Sequence, residues 1–305
     1  MTCTSAVKIF VVNMILFSGI SFQVPAAAKV HTDRSTFPVS EIREIDVGLA
    51  SEELEICSGN VQNIEVEIVT NRKNGIPVVT LSGNSLKISK EPYFELRFYT
   101  RCVVRITVPE DFCADELTCT TSSGSQSVQH IKSMEADFNT SSGSITCESL
   151  HIQKVLEVRT SSGSIGVKNS RMKEITCRTS SGSIRTDGLI CSSAEFESSS
   201  GAVGADGITA DVLKAQTSSG GILCSLKTLP GQESRIESAS GDIRLKLPEN
   251  DGFSVSADTT SGTYRNEFTG AHQSRINSSL RDVYKSGIIQ FVLKAASGSI
   301  SVEKI

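Results

Sequence analysis

From Leu117 to Val302 the chain alternates apolar and polar positions, and the alternation restarts in the same phase about every twenty residues. The phase marker is glycine, at Gly124, Gly143, Gly163, Gly182, Gly201, Gly220, Gly241, Gly262 and Gly298, in steps of 19, 20, 19, 19, 19, 21, 21 and 36 residues. Two residues after each glycine stand Gln126, Ile145, Ile165, Ile184, Val203, Ile222, Ile243, Tyr264 and Ile300. Five before it, from Cys119 through Phe138 and Val158 to Leu293, every residue is apolar; four before it, as at Arg159, Arg178 and Glu197, the positions are mostly polar. Period two means a strand with one buried face. The same residue class at the same phase in successive copies means that the strands stack in register. The pattern predicts an all-β, single-stranded parallel β-solenoid, β-helix-like, with about 19–21 residues per turn and two short strands in each turn.

Around the glycine the chain repeats the phrase Thr179-Ser180-Ser181-Gly182-Ser183-Ile184 with small changes. A chain that reverses every nine or ten residues needs a corner that accepts positive φ, and the nine glycines are expected to supply it. The flanking serines and threonines are expected to satisfy backbone groups at the bend and to form ladders between turns. Asp187-Gly188 and Asp206-Gly207 mark a second corner half a turn later.

Outside the repeats, residues 29–40 read as a polar linker and 41–112 as an atypical β section capping the N-terminal end, within a solenoid domain spanning 41–305. Asn74-Gly75 and Ser82-Gly83-Asn84 are bend signals, and Cys102 to Pro109 is a strand. In the repeat section, 113–305, the long step before Gly298 predicts a polar loop over 265–286, after which the pair Ile288 to Val302 closes the fold. Residues 1–28 share none of this pattern. A basic start at Lys8, an apolar run and Pro25-Ala26-Ala27-Ala28 read as an export signal cleaved after Ala28. The alternative is an uncleaved membrane anchor, against which the run is short and carries Asn13.

The formal net charge is −4, and Lys and Arg are not clustered, which excludes a nucleic-acid footprint. Aromatic residues make up 5% of the chain and Trp is absent, as suits a narrow core of Ile, Val, Leu and Ala. Cys119, Cys147, Cys177, Cys191 and Cys224 sit in apolar columns and read as small core hydrophobes. Cys119 and Cys177 are three turns apart in one column, roughly 14 Å at the strand spacing, too far for a bridge. Pairing across the core between columns stays open, and Cys57, Cys102 and Cys113, outside the repeats, are the better disulfide candidates in an exported chain. No cysteine pair has close zinc spacing and the four histidines are scattered, so no metal or cofactor is expected.

A catalytic centre is not legible. Asp137, Glu157 and Glu195 fall on one outward face, with Thr176 between the last two, in the geometry of a carboxylate or calcium cluster. The competing reading is a solvated strand face. The outward column three after each glycine holds no acid: Ser127, Thr146, Gly166, Arg185, Gly204, Leu223, Arg244, Arg265 and Ser301. The catalytic, cofactor and metal sets are therefore read as empty.

The string Val104-Arg105-Ile106-Thr107-Val108-Pro109, the serial Thr-Ser-Ser-Gly-Ser-Ile phrase and the closing Ala296-Ser297-Gly298-Ser299-Ile300-Ser301-Val302 resemble the bacterial putative-adhesin domain family, a domain of unknown function. The likeness runs over residues 41–305 and includes the Ser-Gly-Asn-Ser-Leu-Lys-Ile phrase at 82–88; the cysteine count departs from the family's habit. The resemblance implies an exported right-handed solenoid, in some members with an N-terminal membrane anchor, and carries no catalytic residues with it. The expectation is a non-enzymatic exported repeat protein of the cell surface, periplasm or medium. Its polar columns and 265–286 loop would meet an envelope or extracellular macromolecule, protein or glycan. Membrane contact would come only through an uncleaved N-terminal segment. The rivals are a membrane-tethered accessory of an envelope-stress response and a carbohydrate-active enzyme on a β-helix.

Overall fold

The computed structural model describes residues 30–72, 74–90, 101–250, 252–268, 272–276 and 279–305, so the segment read as export signal or anchor lies outside the described residues. The repeats stack as rungs, each giving one strand to a thirteen-stranded sheet and one to a fifteen-stranded sheet. Within the first sheet Ile145, Ile165, Ile184, Val203, Ile222 and Ile243 pair in parallel, rung upon rung. Within the second, Leu117, Ala136, Leu156, Ile175, Ala194 and Leu213 do the same. Both columns are buried in one continuous core between the sheets. Burying each Ile or Leu there stabilises the fold by about 1.5–3 kcal/mol.

The nine marker glycines lie at the corner between the sheets, but not for the reason expected. None has positive φ. A β-carbon built on any of them would lie only 1.7–2.2 Å from a carbonyl oxygen of the neighbouring rung, for example 1.8 Å from Gly163 O at Gly182. The corner backbones stack too closely for any side chain, and that contact selects glycine. Positive φ belongs to the second corner, six residues later, at His130, Ser149, Asn169, Gly188 and Gly207, with φ of 56°, 56°, 48°, 65° and 61°.

Three residues before each glycine from Gly143 to Gly262, a Thr or Ser hydroxyl joins two rungs. Thr179 Oγ1 donates to Gly163 O at 3.1 Å and accepts the Gly182 N–H at 3.1 Å. Thr160, Ser198, Thr217 and Ser238 repeat this with distances of 2.8–3.2 Å. The expected ladder is present, and its hydroxyls are buried along most of the stack.

Both ends depart from sequence order. The final strands, Ile289–Ala295 and Ile300–Lys304, do not close the fold; they slot between the Gly241 rung and the Gly262 rung. The stretch expected as a loop over 265–286 contains a hairpin, His272–Ile276 with Ser279–Lys285, that runs antiparallel to Gly252–Thr259 and covers the end of the fifteen-stranded sheet. At the other end Glu44–Gly48 and Glu53–Gly59 lie inside the later strands Ser85–Ser89 and Cys102–Pro109. Residues 31–37, read as linker, form the strand His31–Phe37 against Ile64–Thr70. Its mostly polar side chains suit a solvated edge, which Arg34 ties to Glu67 and Phe37 anchors on the core. The antiparallel strands cover edges that would otherwise template association.

Candidate binding groove

The outward column of the thirteen-stranded sheet is uneven. In rung order it runs Ser127, Thr146, Gly166, Arg185, Gly204, Leu223, Arg244, Ser301 and Arg265. The swap of the last rungs places Ser301 between Arg244 and Arg265. Gly204, Gly221 and their neighbours leave a groove of about 520 Å³ bounded by Arg185 at one end and Arg265 at the other. The fold does not demand these two glycines. A β-carbon on Gly204 would meet nothing nearer than 3.9 Å, and on Gly221 nothing nearer than 3.4 Å. Leu223, 39% exposed, lies on the floor.

Elsewhere on the exterior several arginines bridge carboxylates of neighbouring rungs. Arg159 donates to Asp137 at 3.0 Å and also to Glu157; Arg178 donates to Glu195 at 2.5 Å and to Glu197 at 3.1 Å. Arg105 bridges Glu55 at 2.6 Å and Glu67 at 3.2 Å. In the groove Arg244 pairs with Glu303 at 2.8 Å, while Asp242 accepts the Ser299 N–H at 2.8 Å. Arg185 and Arg265 have no acidic partner among the described residues. The sequence reading listed this column without seeing the groove, because depth depends on which side chains are absent in adjacent rungs.

The carboxylates weighed for catalysis do come together: Asp137, Glu157, Thr176 and Glu195 pair in successive rungs. Two of them share one arginine. Partial burial raises the Asp137 pKa, Arg159 opposes that, and Glu157 adds to it. The Arg159 guanidinium donates to both Asp137 and Glu157 and lies in the space that a substrate oxygen would need. Among the described residues no three of His, Cys, Asp and Glu gather to hold a metal ion.

Cys119, Cys147, Cys177, Cys191 and Cys224 are buried core residues, and burial pushes the thiols of Cys191 and Cys224 up to about 12. Of the disulfide candidates Cys57, Cys102 and Cys113, Cys102 and Cys113 are free thiols. Cys102 is buried in the cap, and Cys113 lies where the repeats begin.

Sequence reading missed Glu52. The residue beneath Gly124 is not a glycine: a β-carbon on Gly124 would meet Glu52 O at 1.7 Å. Ile45 and Val47 stand seven and five before Glu52, and Leu54 two after it; they pair with Leu117, Cys119 and Gln126. This is a cryptic copy of the repeat with Glu in the glycine slot. The Glu52 carboxylate is 0% exposed and accepts from the Ala50 and Ser51 N–H groups at 2.8 and 3.0 Å, from Lys90 at 2.6 Å and from Arg72. Burial works to raise its pKa, but the Lys90 and backbone hydrogen bonds outweigh that and hold it below the ordinary value. The signal available in the sequence was the spacing of Ile45, Val47 and Leu54 about a non-glycine.

Among the described residues no helix is long and apolar enough to cross a membrane. A rung-stacked two-sheet solenoid with arginine–carboxylate bridges across its rungs and an open groove on one face is a repeat-built β-scaffold. The chain belongs to the Toastrack DUF4097 family, whose model matches residues 42–303, a domain family of unknown function. Among solved structures it is similar to a putative adhesin from Parabacteroides distasonis ATCC 8503, with a TM-score of 0.56, 12% identity and coverage of 90% of this chain and 98% of that one. It is also similar to a putative lipid binding protein from the same strain, with a TM-score of 0.52, 17% identity and coverage of 90% and 97%. A third is a putative adhesin from Parabacteroides merdae ATCC 43184, with a TM-score of 0.51, 12% identity and coverage of 92% and 97%. At these identities the likeness is one of fold. No curated protein matches the chain.

Proposed function

We propose that this chain is a non-enzymatic, exported scaffold of adhesin type, and that it meets an envelope or extracellular macromolecule, protein or glycan, at the groove. The observation that carries this reading is the contrast between the two outer faces. On the fifteen-stranded sheet Arg159 and Arg178 each bridge two carboxylates, whereas the groove keeps Arg185 and Arg265 without acidic partners beside a gap the fold does not require. Unmatched charge and open space together favour a partner. The neighbours' names, putative adhesin and putative lipid binding protein, support a binding role over a catalytic one. So does the engagement of Asp137, Glu157 and Glu195 by arginine. Export rests on the reading of residues 1–28, and a surface location agrees with the adhesin-named neighbours.

The test is surface capture. Full chain is immobilised and presented with whole bacterial cells and with matrix proteins and glycans. Capture by the wild type that Gly204→Leu reduces supports the groove as contact face, and equal capture by both puts the contact elsewhere. Polysaccharide turnover that disappears on Asp137→Asn, Glu157→Gln or Glu195→Gln would refute the non-enzymatic reading. N-terminal sequencing of the mature protein separates a secreted chain from a tethered one.

A further inference from the structure

We propose that the groove binds an acidic polysaccharide whose carboxylates are separated by neutral sugar units, laid along the stacking axis from Arg185 to Arg265. The inference rests on the groove being the contact face. Register sets its length. Arg185, Gly204, Leu223, Arg244, Ser301 and Arg265 occupy successive rungs. At about 4.8 Å per rung the two unmatched guanidinium groups stand roughly 24 Å apart along the axis. A compact anion engages one of them, while an extended polyanion engages both.

The walls select a sugar chain over an acidic peptide. The strands beneath most of the groove, Val203–Ile208, Ile222–Leu226 and Ile243–Leu247, are paired on both sides, so a peptide could add a strand only at Tyr264–Asn266, the edge strand at the Arg265 end, and not along the groove's length. The rim offers Thr263, Ser299 and Ser301 hydroxyls and the Asp242 and Glu267 carboxylates. The hydroxyls accept from and donate to sugar hydroxyls, and the carboxylates accept from them. No aromatic ring lines the groove, so a neutral glycan would find no stacking platform and guanidinium–carboxylate pairs must supply the hold. Asp242 and Glu267 would repel a continuous run of carboxylates, which favours a polymer in which charged and neutral units alternate. The gap over Gly204 and Gly221 gives a sugar ring room to approach the sheet.

Hyaluronan, in which carboxylate-bearing and neutral sugars alternate, is the probe. Its binding to the full chain is measured by calorimetry at low salt, beside its methyl-esterified form and poly-L-glutamate. Hyaluronan is expected to bind, the ester to fail, and poly-L-glutamate to bind at least about tenfold more weakly. Arg185→Gln and Arg265→Gln should each weaken hyaluronan about tenfold, Gly204→Leu should abolish binding, and Arg159→Gln on the opposite sheet should leave it unchanged. All these positions lie on outer faces, and thermal melting confirms that each variant is folded. Hyaluronan binding that ignores Arg185→Gln and Arg265→Gln would overturn the site. Poly-L-glutamate binding as tightly as hyaluronan would overturn the glycan assignment. Absence of hyaluronan binding overturns the proposal as well, while loss of surface capture in Gly204→Leu would still uphold the groove as contact face.

Discussion

The hydroxyl of Thr179 reaches back one rung to the carbonyl of Gly163, 3.1 Å away, and ties two copies of the repeat at the place where neither sheet can. The corner lies between the last residue of one strand and the first of the next, where the Ser180 and Ser181 N–H groups share one acceptor, Ser161 O. Glycine lets the corner backbones come close, and the hydroxyl then satisfies the groups that this approach buries.

Thr179→Val keeps the shape and removes the hydroxyl, leaving the Gly163 carbonyl and the Gly182 N–H without that partner. The loss is expected to be about 1–3 kcal/mol. Thr179→Ser should lose much less, since Ser198 and Ser238 already serve in the same column. Urea midpoints decide it, and equal losses for Val and Ser would deny the hydroxyl its role.

Gly182→Ala places a β-carbon 1.8 Å from Gly163 O, so the rungs must part. Gly207→Ala comes no nearer than 3.2 Å to any atom, the flexible end of Lys227, and carries chiefly the penalty of φ +61°, about 1–2 kcal/mol. The first variant should melt well below the second. The reverse order would mean that backbone conformation, and not close approach, selects the marker glycines.

Glu52 links acid stability to the N-terminal cap. Its folded pKa lies below the ordinary carboxylate value, so its contribution is complete above that value and is lost as pH falls through the folded one. Glu52→Gln leaves Arg72 and Lys90 buried without their counter-charge and should cost about 3–5 kcal/mol at neutral pH. The variant should also lose less further stability than wild type on acidification. Parallel acid limbs for the two proteins would remove Glu52 from the account.

Thiol reactivity reports the core. Cys119, Cys147 and Cys177 are 0% exposed, and burial raises their pKa values above that of an ordinary thiol. In native protein at neutral pH they should resist an aromatic disulfide reagent that modifies half-buried Cys113, and should all react in urea. Rapid native labelling at Cys147 would contradict a dry interior.

The inward and outward faces of the rungs were legible residue by residue, because period two in a strand is a local property and an Ile two places after most of the glycines needs no partner to declare itself. The Asp187-Gly188 and Asp206-Gly207 corners were legible for the same reason: positive φ is set within the residue. What only the tertiary structure decided depends on distances between residues far apart in the chain. Gly182 is required by the carbonyl of Gly163, Glu52 takes a glycine slot because Arg72 and Lys90 fold over it, and Ser301 lies between Arg244 and Arg265 because the final strands return to an inner slot. The groove belongs to that second class. Arg185, Gly204 and Leu223 are ordinary surface residues one at a time, and they become a site only when stacking sets them side by side.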